Sequence, residues 1–331
     1  PNGGHRSDIW SLQASADVSF SDVYKAWNNN YLAIDRANQV ISGIQKSANS
    51  SNAEMQQILG EAYCLRAYRY FLLCNFWGDV PYFSDPALYG HELDKPKTDK
   101  NIIYTQCIQD LVDCEGNMKW SDTNTGGIER MNRDFALGMI SRLALFRAGY
   151  GMTKEGTMKK ADDYLTTSSD SLTVTYTDIN GTKQTASTSA DYYKLAKNYC
   201  QKLIQLKPRP LRSDFAQIFK DECQYKVTNN DEVLYEVAYV ESFGGDVGWC
   251  IGVPNTNALT KGNTTAQVFL SPTYYMSFDD NDTRRDATCA RYSHDADTLK
   301  ACGNSTNIAP AKWDRFLSTH DLGADSSKGT G

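Results

Sequence analysis

The chain has 331 residues, 40% of them hydrophobic, with 34 basic against 40 acidic side chains and a net charge of -6. That length suffices for a large core. The charge balance implies no basic face, so nucleic acid is not an expected partner. No run of about 18 apolar residues is present, so no membrane-spanning helix is expected in these residues.

Residues 1–20 read as polar loop with isolated aromatics, Trp10 and Phe20. Pro1 opens this stretch without a secretory leader, which leaves open export of a chain processed before it. The spacing of Val23, Trp27, Tyr31, Ile34, Ile41 and Ile44 predicts a helix over 21–45. Asn38 falls in its apolar stripe, where a buried amide needs partners. A second helix is predicted over 53–77 on Ile58, Ala62, Leu65, Leu72 and Phe76, stopped by Gly78 with Pro81 beyond. Arg66 and Arg69 lie near its apolar face and are expected to snorkel or to pair with a carboxylate such as Glu61.

A third helix is expected over 98–116, with Tyr104, Cys107, Ile108 and Leu111 inward. A fourth, over 132–149, carries Phe135, Met139, Leu143 and Phe146. In a Ser/Thr-rich stretch, Asp178-Ile179-Asn180-Gly181, flanked by Leu172 to Tyr176 and Thr182 to Thr185, predicts a small exposed hairpin. A fifth helix, 190–206, has Tyr192, Ala196, Tyr199 and Leu203 at helical spacing. A short helix at 215–219 and a strand at 232–240 follow. From Ser242 the chain becomes a glycine-punctuated, Asn- and Thr-rich loop region that still carries Phe243, Trp249 and Phe269. A helical turn is predicted from Pro272 to Phe278. A long irregular segment inside a compact domain is usually functional or disordered, and its aromatics favour order. The fold expected is mainly α: a tetratricopeptide-like helical-repeat scaffold over 21–206, minor β hairpins, and a loop-rich section over 241–331. No clean repeat of about 34 residues is readable.

Chemistry is sparse. No GxSxG, Walker loop, HExxH or GxGxxG occurs, and no cofactor or metal is expected. His5, His91, His294 and His320 stand in polar stretches and read as surface histidines. The nine cysteines form no CxxC, so buried thiols are expected rather than disulfides or zinc ligands, with Cys64, Cys107 and Cys200 among apolar helix residues. Asp279, Asp280 and Asp282 form the densest carboxylate cluster. A calcium loop from Asp280 fails because Arg285 stands where glycine is needed, and Arg284 and Arg285 favour an ion-pair corner.

Four segments carry a family resemblance: YKAWNNNYLAIDRANQVI at 24–41, GEAYCLRAYRYFLLCNFWGDVPYF at 60–83, the stretch 192–240 with its Asp-Phe-x-x-Ile-Phe turn and Asn-Asp-Glu-Val-Leu-Tyr-Glu-Val, and FDDNDTRRDAT at 278–288. In this order and spacing the chain resembles the SusD/RagB family. The resemblance implies a lipid-anchored, surface-exposed lipoprotein of the outer membrane. Such a protein binds glycan without catalysis and delivers it to a SusC-like TonB-dependent transporter. It also implies a single SusD-like domain over 1–331, incomplete at both ends. The family's lipid-anchoring Cys and the C-terminal helices expected after Lys312 to Phe316 are not among these 331 residues.

A sugar ring stacks its apolar face on an aromatic ring while its hydroxyls need amides or charges. The ligand-binding candidates are therefore Trp10, Phe243, Trp249, Asn255, Asn257 and Tyr274, with Trp27 and Trp77 assigned to the core. Two other classes remain: a tetratricopeptide-like protein-interaction adaptor with a helix-lined groove, and an all-helical glycoside hydrolase, which needs two carboxylates facing across a cleft.

Overall fold

Five long helices carry the first part of the chain: α1 (Ser21–Gln45), α2 (Ala53–Trp77), α3 (Lys100–Cys114), α4 (Arg133–Ala148) and α5 (Ser189–Leu206). The computed structural model describes residues 21–86, 94–165, 172–224, 226, 232–237, 250–301 and 307–317. Side-chain pairings show that consecutive helices run antiparallel. Trp27 meets Trp77 edge-on while the Gln45 amide donates to the Tyr63 hydroxyl, so the start of α1 lies against the end of α2. Arg66 reaches Asp110 from α2 to α3, Tyr104 meets Phe146 from α3 to α4, and Arg147 lies over Tyr192 from α4 to α5. An apolar stripe on each helix can be hidden only by such a neighbour.

The helix boundaries follow local chemistry. Asn52 caps α2 by accepting the Glu54 amide at 2.8 Å, and Thr188 with Asp191 forms a capping box on α5. Gly78 ends α2 at φ +72°, a conformation glycine adopts without penalty, and its amide returns to the Cys74 carbonyl. The core holds Tyr70, Leu73, Ile103, Ile108, Leu111 and Leu137, each aliphatic side chain contributing roughly 1.5–3 kcal/mol.

Several expectations need correction. The predicted stripe on α2 captures one seam only. α2 packs on both α1 and α3 and buries Cys64, Ala67, Tyr70 and Leu73 as well, while Phe76 is 75% exposed. Arg66 pairs with Asp110, not with Glu61, which takes Arg130 instead. Cys64 and Cys107 are buried, but Cys200 is exposed because it follows Tyr199 onto the outer face of α5. The hairpin forms from β5 (Val174–Thr177) and β6 (Lys183–Ala186), and Gly181 closes it at φ +83°. It is not merely a surface insertion, since Val174, Tyr176 and Ala186 enter the helical core.

Short antiparallel pairs decorate these helices: β1 (Val80–Pro81) with β2 (Lys97–Thr98), and β3 (Tyr150–Met152) with β4 (Met158–Lys160). The described residues group into two compact units. Of the described residues, those from Ser21 to Arg209 with Val233–Glu236 make one, and those of Pro210–Glu232 and from Val237 to Leu317 make the other. Residues 232–237 form no strand, although a strand over 232–240 is the sequence expectation and 238–240 lie outside the described residues. This irregular segment, bent at Glu232 and Leu234, is held on the helical unit by isolated bonds, Asn132 to the Leu234 carbonyl at 3.1 Å and the Glu236 amide to the Ile128 carbonyl at 3.0 Å.

The second unit has α6 (Phe215–Cys223), α7 (Pro272–Met276) and α8 (Arg284–Thr288). Its strands are β7 (Asn255–Thr256), β8 (Cys289–Ala290), β9 (Tyr292–Asp295), β10 (Thr298–Ala301) and β11 (Ala309–Pro310). They form a sheet ordered β10-β9-β7, with β7 parallel to β9, and a β8-β11 pair. Its described core is thin: Val253, Ala290, Ala309 and Ala311, with Tyr292 against them.

Candidate functional site

The loop-rich second unit is where the sequence places the ligand side, and three of the six candidates can be located there. Asn255 sits in β7, 1% exposed. Its amide nitrogen donates to the Gly262 carbonyl at 3.0 Å and to Asp297 at 3.1 Å, so this side chain organises the loop rather than presenting itself to solvent. Asn257 is exposed at φ +50° and donates to Asp295 at 2.9 Å. Tyr274, on α7, is 45% exposed and meets Phe278 edge-on, leaving part of its ring accessible. Trp10, Phe243 and Trp249 lie outside the described residues, as do His5, His91, His320 and Cys302. Trp27 and Trp77 are half-buried and pack on the helical core, as assigned.

Beyond the Asn257–Asp295 bond, the loop from Asn257 to Asn263 is gathered chiefly by one carboxylate. Asp297, at the β9-β10 turn, accepts the Thr260 amide at 2.6 Å, the Leu259 amide at 3.2 Å and the Thr260 hydroxyl at 2.8 Å. Desolvation opposes its charge, but these donors and Asn255 outweigh it and hold the carboxyl down at about 2. His294 is the clearest departure from expectation. It is buried in β9, stacked on Phe316 at 3.7 Å with its Nε2 3.4 Å from Asp314, which also accepts the Tyr292 hydroxyl at 2.9 Å. The acidic corner forms as the sequence suggests: Arg284 pairs with Asp282 at 2.6 Å, and Arg285 reaches Asp280 and Asp286. Among the described residues, no three His, Cys, Asp or Glu side chains group as metal ligands. Nor is any described helix long and apolar enough to cross a membrane.

The same unit encloses a half-open cavity of about 270 Å³ that no residue-by-residue reading anticipated. Phe219 and Lys220 reach it from α6, Thr283 and Asp286 from the acidic corner, and Tyr292 and Leu317 add to its walls. Contacts far apart in sequence assemble it: Cys223 donates to the Lys312 carbonyl and Gln224 to the Leu317 carbonyl at 3.0 Å. The only sequence signal was the i, i+4 pair Phe215 and Phe219, whose rings meet at 5.2 Å.

An antiparallel helical-repeat scaffold accompanied by a loop-rich second unit is a mainly α fold that this chain shares with proteins of known structure. Residues 4–145 match the SusD-like family described as starch-binding and associating with the outer membrane. A curated SusD-like protein of Formosa agariphila is 32% identical over 99 residues, 30% of this chain and 19% of that relative. The crystal structure of a SusD homolog from Bacteroides thetaiotaomicron superposes with a TM-score of 0.73 at 18% identity, covering 95% of this chain and 60% of the other. A structure with a xylogluco-oligosaccharide superposes with a TM-score of 0.54 at 20% identity, covering 83% of this chain and 49% of that one. Residues 4–145 are thus similar in sequence to SusD-like proteins, and the fold of a solved SusD homolog extends over 95% of the chain. The chain spans about a fifth of the curated relative's length.

Proposed function

We propose that the protein captures glycan at the cell surface without chemically altering it and passes it to a SusC-like TonB-dependent transporter. In this reading it is a lipid-anchored outer-membrane protein of the SusD/RagB type, with ligand held by the loop-rich unit. The observation that carries the reading is the match of residues 4–145 to a family described as starch-binding at the outer membrane. A similar fold solved with an oligosaccharide supports it. Accessible Tyr274 and Asn257 give that unit one stacking face and one amide, which suits a ring with an apolar face and hydroxyl edges. The acidic corner favours binding over hydrolysis, because Asp282 is committed to Arg284 and held down at about 2 by that side chain, which suits no general acid.

The peptide-adaptor reading has one observation of its own. A cleft of about 350 Å³ lies in the helical unit, lined chiefly by α1 and α2 residues such as Val40, Ile58 and Leu65, with Tyr235 at its edge. It is small for an extended peptide, so this reading stands second.

Trp249 remains the aromatic proposed to stack on sugar. Trp249→Ala in the full-length protein is expected to weaken polysaccharide retention in native affinity electrophoresis at least about tenfold, the scale of one aromatic stack, with little change in Tm. A large fall in Tm with unchanged retention would assign Trp249 to packing.

A further inference from the structure

The small cavity of the second unit has a feature that a neutral-sugar site does not require. Lys220 lines it, and Lys312 lies beside it with its Nζ 4.4 Å from the ring centroid of Phe219, itself a cavity wall, and 5.5 Å from that of Phe215. Neither lysine makes an ion pair with a described residue. The one carboxylate in the wall, Asp286, already faces a cation, with Arg285 Nε at 3.3 Å. Asp314, buried beside the wall, accepts the Tyr292 hydroxyl, and Arg285 is shared between Asp280 and Asp286, so Lys220 and Lys312 are the ammonium groups at the cavity that stand outside these pairings.

The remaining walls suit the faces of a single ring. Phe219 and Leu317 are apolar, while the Tyr292 hydroxyl, donated to Asp314, keeps lone pairs free to accept. A volume of about 270 Å³ falls below the roughly 300–1,000 Å³ of sites for drug-sized ligands, and so fits one pyranose rather than a chain of them. Ammonium groups held against aromatic faces are partly desolvated, which strengthens their attraction for an anion.

We propose that this cavity is a subsite for one acidic sugar residue, a uronate or a sulfate-bearing pyranose, with Lys220 and Lys312 meeting its anionic group and Phe219 its apolar edge. The proposal rests on the glycan-capture reading and narrows its ligand to glycans that carry negative charge.

The test is calorimetric titration of the full-length protein with galacturonate and glucuronate trimers, each as the free acid and as its methyl ester. The ester keeps the ring and removes the charge. The expected result is binding of at least one free acid about tenfold or more tighter than its ester at 50 mM NaCl, with the ratio shrinking at 0.5 M as ions screen the lysines. Lys220→Gln with Lys312→Gln is expected to bring the acid down to the affinity of the ester while leaving Tm in place. Equal affinity for acid and ester, a ratio that survives the double substitution, or no acid binding overturns the subsite. A parallel panel of neutral oligosaccharides separates the two ideas: neutral binding with no acid preference removes the subsite alone, whereas no binding to any glycan removes the capture reading with it.

Discussion

Arg66 shows how one side chain holds three elements. Its guanidinium is 4% exposed and donates to Asp110 at 2.6 Å, to Asn38 at 2.9 Å and to the Ser84 carbonyl at 3.0 Å, joining α2 to α3, to α1 and to the segment after β1. Asn38 completes the set by donating to the Phe83 and Asp85 carbonyls. Burial works against the charge, yet Asp110 keeps the guanidinium above its ordinary range. Arg66→Ala leaves a carboxylate and an amide facing each other without their cation, and is expected to cost about 3–5 kcal/mol in urea denaturation. Arg66→Met with Asp110→Leu is expected to recover much of that loss, because a buried pair replaced by apolar groups of similar volume is often tolerated. A single-variant loss below about 1 kcal/mol would show that the network contributes little. From sequence, the need of Asn38 for partners was legible while the identity of Arg66's partner was not, since Asp110 is 44 residues away. His294 failed for the same reason. Its neighbours Ser293 and Asp295 are polar, but β7, Asp314 and Phe316 come from elsewhere and bury it.

At the scale of elements, the loop at 257–263 depends on Asp297 accepting two backbone amides and a hydroxyl. Its carboxyl is lowered from 3.8 to about 2, so the stabilisation is complete above the ordinary carboxylate range and is lost as pH falls through about 2. The Leu259 and Thr260 amide resonances are expected to titrate together with a midpoint near 2, and Asp297→Ala to increase their hydrogen exchange at every pH. A midpoint near 4, the value of a free carboxylate, would mean that the loop does not hang on this residue. Regular elements were readable because period and caps are local. The five long helices lie within about two residues of expectation. The hairpin's turn was legible from Asn180-Gly181, but not the burial of one of its faces, which depends on α3 and on the carbonyl and amide of Thr175 meeting Gln109. Over 232–237 the expected strand is replaced by an irregular, bent segment, since alternation reports half-burial and not a ladder.

On the scale of the whole molecule, a thick helical unit contrasts with a second unit whose described core is four small residues and a tyrosine. Such a unit is held largely by polar contacts of loops, and loops are where binding residues concentrate on a rigid scaffold. The proposed site is therefore argued as a region more than as single residues. Asn255 supports the loop from inside, Asn257 and Tyr274 stand at the surface, and the cavity wall comes from α6, the acidic corner and β9. No local period or motif could have joined Lys220 to Lys312, because their proximity is made by contacts spanning about 90 residues. The deciding measurement is titration of the full-length protein with a panel of neutral and acidic oligosaccharides, followed by assay of the same mixtures for new reducing ends. Non-catalytic capture requires saturable binding of at least one glycan with no reducing ends released. Absence of binding across the panel, or release that disappears in Asp280→Asn, would contradict it.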